Sequence, residues 1–370
     1  MTMRLHSQDR CLTLASAPGS ILQSMSGIQI RAMVCTVVAI AAAVGAASPH
    51  LAAGQDAPLI SGGVGLVTST NAGNTTYIPV VEPLLMASLG KRVTVESRAT
   101  LLQSFFPRGA KGYDHDAFLG LSYLQADLLL SDHATLIAGE FLTPFGTYNE
   151  RLTPIWISNF EDAPLIYSLG TMGSASSVGG QLRGSLLSAR NANLDYAVYY
   201  SANSTNPQFT AQRSSGGRAG VYIPGARLEA GVSYGRSFSK QQQDFVGTHL
   251  WWEPANSALR IRSEYSHGPH SQGYWIEADW RGGRLHGNET FFNRLEPVFR
   301  MQQTFRMKAD PADGLPAADT VRPDFGLDYR LPHEVRINTS YSRQLSSAGN
   351  RNIWQTEIVY RFLFPTWRSK

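Results

Sequence analysis

From Leu59 onward, apolar side chains recur at every second position. Leu194, Tyr196, Val198 and Tyr200 alternate with Asp195, Ala197, Tyr199 and Ser201. Leu228, Ala230, Val232 and Tyr234 alternate with Glu229, Gly231, Ser233 and Gly235. The same period carries Leu259, Ile261 and Tyr265 against Arg260, Arg262 and Glu264, and Val335, Ile337 and Tyr341 against Arg336, Asn338 and Ser340. A period of two puts one set of side chains on each face of a β-strand. No helical period of useful length interrupts it.

The alternation predicts sixteen strands, over 59–70, 77–89, 91–105, 116–130, 133–142, 176–189, 193–203 and 218–224, then 227–239, 243–253, 257–267, 271–282, 288–305, 321–331, 333–346 and 351–364. The links between them also alternate. Gly90-Lys91, Ser131–His133, Arg190–Ala192, Pro224–Ala226 and Leu331–His333 are tight, whereas 106–115, 143–175, 204–217 and 306–320 are long. An even strand count with short turns at one end and long loops at the other predicts an all-β chain, a transmembrane antiparallel β-barrel. Trp251, Trp252, Trp275, Trp280, Trp354 and Tyr360 stand near strand ends, as interfacial girdles do. The last strand puts Ile358, Tyr360, Phe362 and Phe364 on one face before Pro365–Lys370. No repeat of fixed length suggests a solenoid or propeller, and a soluble sandwich would need two unusually large sheets.

One stretch departs from this rhythm. Ala138–Phe160 begins as a strand, breaks at Pro144 and Gly146, and continues as an irregular run with Phe145, Tyr148, Trp156 and Phe160; alternation resumes near Ser176. A loop of that length in a compact domain is usually functional or disordered. Its aromatic content argues against disorder. We read 143–175 as a constriction loop mounted on the barrel.

Composition narrows the class. Charged residues make up 16% of the 370, against about 25% in ordinary soluble chains, which suits an outer wall facing lipid. Residues 33–47 form an apolar run preceded by Arg31 and followed by small residues, the pattern of a secretory signal cleaved between Ala46 and Ala53. Met25 is a plausible start. The expected division is therefore 1–53, signal peptide and upstream extension, and 54–370, outer-membrane barrel. Both cysteines, Cys11 and Cys35, fall in the first part, which excludes thiolate chemistry from the rest and suits an oxidising envelope compartment. The net charge of +4 falls to +2 once Arg4, Arg10, Arg31 and Asp9 are removed. That balance gives no argument for nucleic-acid binding.

The polar face of the strands is rich in charge of both signs. Its basic members are Arg98, Arg183, Arg227, Arg260, Arg262, Arg281, Arg330, Arg336 and Arg361. Its acidic members are Glu96, Asp127, Glu140, Asp195, Glu229, Glu264, Glu277, Asp279, Asp328, Glu334 and Glu357. Neighbours such as Glu96 and Arg98, or Asp328 and Arg330, are placed to neutralise each other. Pore selectivity follows rings of like charge, so this mixture predicts a weakly selective lumen. Leu119 and Leu121 fall on the lumen face by this register, where apolar side chains are out of place; a slip of one residue would invert them.

The run Ala138-Gly-Glu-Phe-Leu-Thr-Pro-Phe-Gly146, with Glu150-Arg151 after it, resembles the G-x-F-x-x-P-F-G segment of the phosphate-selective porin O/P-like family. The resemblance implies a sixteen-stranded outer-membrane channel, a homotrimer, and a strand that ends at the proline and runs into the pore-narrowing loop. By it Gly139, Phe141, Pro144, Phe145 and Gly146 shape the approach to the constriction. It does not extend to phosphate, because those pores carry a dense basic ladder and this lumen is mixed.

The candidate solute-binding residues of the loop are Tyr148, Glu150, Arg151, Trp156 and Phe160, since aromatic faces stack on solutes and Arg with Glu bonds hydroxyls or anions. The same residues would equally serve to pin the loop to the wall. Tyr113–Asp116 and His267–His270 resemble cation ligands, in segments expected to be solvated external loops. The histidines are scattered, with no visible triad. The expected function is passive diffusion of small hydrophilic solutes or ions across the outer membrane, without cofactor or catalysis. Lipid and lipopolysaccharide are the surroundings. The alternative is a plugged barrel acting as a lipid hydrolase or structural protein.

Overall fold

A computed structural model describes residues 58–109, 112–167, 175–206, 210–238, 242–286, 290–308, 310 and 315–365. The proposed signal region and the final five residues lie outside them. Sixteen strands run β1 (Leu59–Asn71), β2 (Asn74–Ser88), β3 (Val93–Pro107), β4 (Tyr113–Ser131), β5 (Ala134–Leu142), β6 (Ser176–Ser188), β7 (Asn193–Ser201) and β8 (Ser214–Ile223). They continue with β9 (Leu228–Ser237), β10 (Gln243–Trp252), β11 (Leu259–His267), β12 (Ser271–Trp280), β13 (Leu295–Arg306), β14 (Thr320–Arg330), β15 (Val335–Ser346) and β16 (Arg351–Pro365). Each pairs antiparallel with its sequence neighbours, and β1 pairs with β16 to close the barrel.

Closure leaves no unpaired sheet edge, which a bilayer requires because hydrocarbon cannot satisfy backbone polar groups. The alternation sorts the wall as expected. On β9 and β10, Val232, Tyr234, Val246 and Leu250 are exposed on the outside, while Ser233 and His249 are buried within. The same outer face carries Trp280, Phe299, Phe325, Trp354 and Ile358. This belt makes the chain a transmembrane barrel.

Every predicted strand is present, with three instructive shifts at the ends. β8 starts at Ser214 instead of 218, because Ser214–Gly217 carries no apolar residue to display the period. The predicted strand at 288 begins only at Leu295; before it stand a one-turn helix, α2 (Gly283–His286), and a 3-10 turn at Phe292–Arg294. β4 extends back to Tyr113, so Tyr113–Asp116 belong to a strand and not to a loop; the His115 ring lies 6.3 Å from that of Phe105. The leucines on β4 are also resolved. Arg98 faces Tyr123 but Ala99 faces Leu121, so Ser122 forms a bulge that inverts the strand above it. Leu121 and Leu119 then lie opposite Ala99 and Leu101, on the outward side with exposed Val81.

Seven connections stand at the end of the barrel that holds both termini of the described chain; six are short, and the seventh, 281–294, carries α2 and the 3-10 turn. The links 143–175, 202–213 and 307–319 stand at the other end, together with short ones such as 72–73. By the usual asymmetry of such barrels the turn end is periplasmic.

Candidate functional site

Residues 143–167 fold into the barrel and cross it from wall to wall. Their neck is closed by the bond from the Thr143 N–H to the Ala175 carbonyl, 3.0 Å, and by the Asn149 amide, which donates to both of those residues' carbonyls. Past Pro144 the chain turns at Gly146, where φ is +64°. A Cβ there would lie 2.5 Å from a Glu264 carboxylate oxygen, so glycine is required twice over. A short helix, α1 (Tyr148–Arg151), follows. Its open N-terminal N–H groups need an acceptor. The Glu264 carboxylate on β11 supplies it, taking the Thr147 hydroxyl at 2.6 Å and the Thr147 and Tyr148 N–H groups at 2.6 and 2.7 Å.

Two apolar clusters seat the loop. Tyr148 stacks on Tyr167 with ring centroids 4.8 Å apart and meets Trp275 of β12 edge-on, with Leu152 and Ile166 around them. Farther along, Ile155 packs on Val67, Ile78, Val80 and Leu102 of β1–β3. Phe160 lies under the Arg300 guanidinium, 4.2 Å from ring centroid to Cζ.

Between these clusters, polar bonds fasten the loop to most of the wall. Arg98 donates to Thr153 at 2.9 Å, Glu82 accepts from the Ile155 N–H at 3.0 Å, and Arg336 donates to the Ile155 carbonyl at 2.6 Å. The Asn159 amide donates to Glu277 and Asp279, while Asn338 donates to its carbonyl. Asp162 takes Arg300 at 3.1 Å and Arg322 at 2.8 Å. Glu161 accepts from Ser340 at 2.6 Å. Burial beside Asp162 and Asp328 lifts its carboxyl from 4.5 to about 7, against the opposing pull of that hydroxyl. On the far side Glu150 holds Arg218 and Arg183, and Arg151 meets Glu229 at 2.7 Å.

The residues singled out from the sequence therefore divide. Tyr148 is a buried packing residue; Pro144 and Phe145 are buried at the neck. Glu150 and Arg151 are ion-paired to the wall. Trp156 lines a cavity at the turn end. Of the wall residues, Arg98, Glu140, Arg260, Arg262, Glu264 and Arg336 are buried inside. Glu96, Asp127, Arg183 and Arg330 are half-exposed. His270 and Asp310 form a pair at 2.8 Å and His267 meets Gln272, two separate contacts in place of a shared cation cage.

Sequence reading missed Glu82, Arg218, Arg300, Arg322, Asp324 and Asp162. Glu82 sits between Pro79 and Pro83, Arg300 follows Pro297, and Pro323 separates Arg322 from Asp324. Proline reads as a strand breaker, so these segments looked less regular than they are. Counting positions from Glu296 or Thr320 in steps of two would have found Arg300 and Arg322.

No family model matches the sequence, and no curated protein matches it. Solved structures of similar shape do. The chain superimposes on OmpF of Salmonella typhi, solved with daunomycin, at a TM-score of 0.55 and 11% identity over 83% of this chain and 97% of that one. A loop-deleted form of the outer membrane protein OmpT of Vibrio cholerae matches at 0.54, with 10% identity over 83% and 100%. The in-vitro folded form of the same protein matches at 0.52, with 9% identity over 85% and 100%. At these identities the likeness is one of fold, a closed antiparallel β-barrel.

Proposed function

We propose that the barrel is a passive channel for small hydrophilic solutes, narrowed by loop 143–175 and left open between that loop and the wall of β3–β9. The observation that carries this reading is that ionisable side chains inside the barrel stay wet on that side. The side chains of Arg151 and Arg183 are 38% and 42% exposed, although both point into a closed barrel. Asp195 is exposed and Glu96 and Asp127 are half-exposed beside them. Charges in such positions hold water in a lumen and filter solutes by size and charge. Basic and acidic groups are interleaved there, which supports weak selectivity. The resemblance at Gly139–Gly146 supports a constriction role for the loop and a trimeric assembly; the pairing of most lumen arginines with carboxylates speaks against a phosphate ladder. Nothing in this reading calls for catalysis.

Planar-bilayer recording of the refolded barrel tests it. Stepwise openings, with a small reversal potential under a salt gradient, are expected. A folded barrel that passes no current would overturn the channel and favour a plugged one.

A further inference from the structure

A cavity at the turn end plays no part in the channel reading. At the turn end, below the loop, lies a space of about 380 Å³. Its basic wall is formed by Arg294, Arg330, Arg336 and Arg361, and its apolar wall by Trp156 and Val359. We propose that it binds a small organic monoanion with a flat apolar body, an arene carboxylate, on its way through the lumen. The proposal rests on the channel reading and names a solute class for it.

The carboxylates that neutralise Arg336 are set back. Glu357, 3.3 Å from its guanidinium, and Asp328, at 3.9 Å, are buried in the wall behind it and do not line the cavity. Arg330 is tied to Glu296 at 2.9 Å, yet its side chain stays 37% exposed. Arg361 forms no ion pair among the described residues. The single carboxylate of the lining is Glu334, on a turn residue with φ of +61° whose backbone carbonyl accepts the Arg361 N–H. Guanidinium therefore predominates on the inner surface, and its planar donors match a carboxylate in the two-bond mode.

The apolar side is as firmly built. Trp156 lies on β1 at Gly63, where a Cβ would come within 2.7 Å of its ring, and Ile155 beside it is packed in the β1–β3 cluster. Seated on β1 in this way, Trp156 lines the cavity. Inorganic phosphate or acetate would satisfy the arginines and leave this surface unused. A bare hydrophobe would leave the arginines uncompensated. An aromatic acid meets both.

The test uses the full refolded barrel and sodium benzoate as probe, with acetate, inorganic phosphate and benzylamine as comparators. Benzoate should interrupt single-channel current more strongly than the other three, and calorimetry on the detergent-solubilised barrel should show it binding. Arg361→Gln and Trp156→Ala should each weaken both signals about fivefold or more, Trp156→Phe should keep most of the binding, and Arg236→Gln at the opposite end should change neither. Heat-modifiable migration confirms that each variant is folded. Equal responses to acetate or phosphate and benzoate, or wild-type binding in Arg361→Gln, would overturn the proposal while leaving the channel standing. If no current flows the channel reading falls, and calorimetry alone then decides the cavity: binding lost in Arg361→Gln upholds it, and no binding overturns it.

Discussion

The inner wall of the barrel has two sides with opposite physical chemistry. Along β11–β15 the arginines and carboxylates that the loop covers are packed dry: the Arg300, Arg262 and Arg322 side chains are 1%, 3% and 5% exposed, and exposure rises only near the turn end, where Arg330 reaches 37%. There they hold Asp279, Glu277, Asp324 and Asp162 and clamp the second half of the loop. Facing β3–β9 some of the same residue types stand in water, Arg183 of β6 at 42% and Arg151 of the loop at 38%, although Arg98 of β3 and Glu140 of β5 are buried. Identical chemistry thus anchors the loop on one side and stays hydrated on the other. What distinguishes them is whether the loop covers the charges, and a buried charge is tolerated only when fully paired.

The strongest break in this comparison is Arg300→Ala. It would strip Asp324 and Asp162 of a buried partner and remove the cation over Phe160. Losing one member of a buried pair costs about 3–5 kcal/mol. We expect a large fall in thermal stability by circular dichroism and larger, noisier conductance as the loop leaves the wall. Unchanged stability and conductance would mean that the dry side is not an anchor.

Glu264→Gln comes next. The neutral amide keeps the shape but replaces a carboxylate that accepts three bonds at the start of α1. Hydrogen bonds to a charged group contribute about 1.5–3 kcal/mol each way of counting, and part is retained by the amide oxygen. A loss of about 1–2 kcal/mol is expected, seen as faster proteolysis within 143–152 in the folded barrel. Protection equal to wild type would deny the capping role.

These anchors also mark what could be read from the sequence. The strands could be read because a barrel wall enforces period two wherever lipid lies on one side and water on the other. The wall charges on β11, such as Arg260, Arg262 and Glu264, follow the same rule. The slip at Leu119 and Leu121 could be suspected but not located, because a bulge at Ser122 leaves no compositional mark. The partner of each charge was beyond reach. Asp162 meeting Arg300 and Arg322 depends on how an irregular loop travels, and no periodicity governs that path.

A smaller effect separates the loop's own titration from the wall. Glu161 ionises at 4.5 when unfolded and at about 7 when docked. Its neutral form is thus favoured by docking, so the stabilisation is complete below pH 4.5 and is lost as the pH rises through 7. Allowing for its partial exposure, the difference is about 1–2 kcal/mol. Channel noise should therefore increase from pH 5 to pH 8, and Glu161→Gln should remain quiet at both. A variant that keeps the full pH response would assign the titration elsewhere.

The smallest expected energetic change falls on the wet side. Arg183 lies 3.3 Å from Glu150 with its side chain 42% exposed, and Glu150 keeps Arg218 as a second, better buried partner. An exposed pair of this kind contributes at most about 1 kcal/mol, so Arg183→Gln should leave the melting temperature within a few degrees of wild type. Its effect on permeation should be larger than its effect on folding. Removing a positive charge beside Glu96, Asp127 and Asp195 should move the reversal potential toward cation preference, whereas Arg322→Gln on the dry side should destabilise the barrel instead. If both variants shifted selectivity equally, the division of the wall into an anchor and a passage would fail; if Arg183→Gln alone does so, the wet side is where solutes pass.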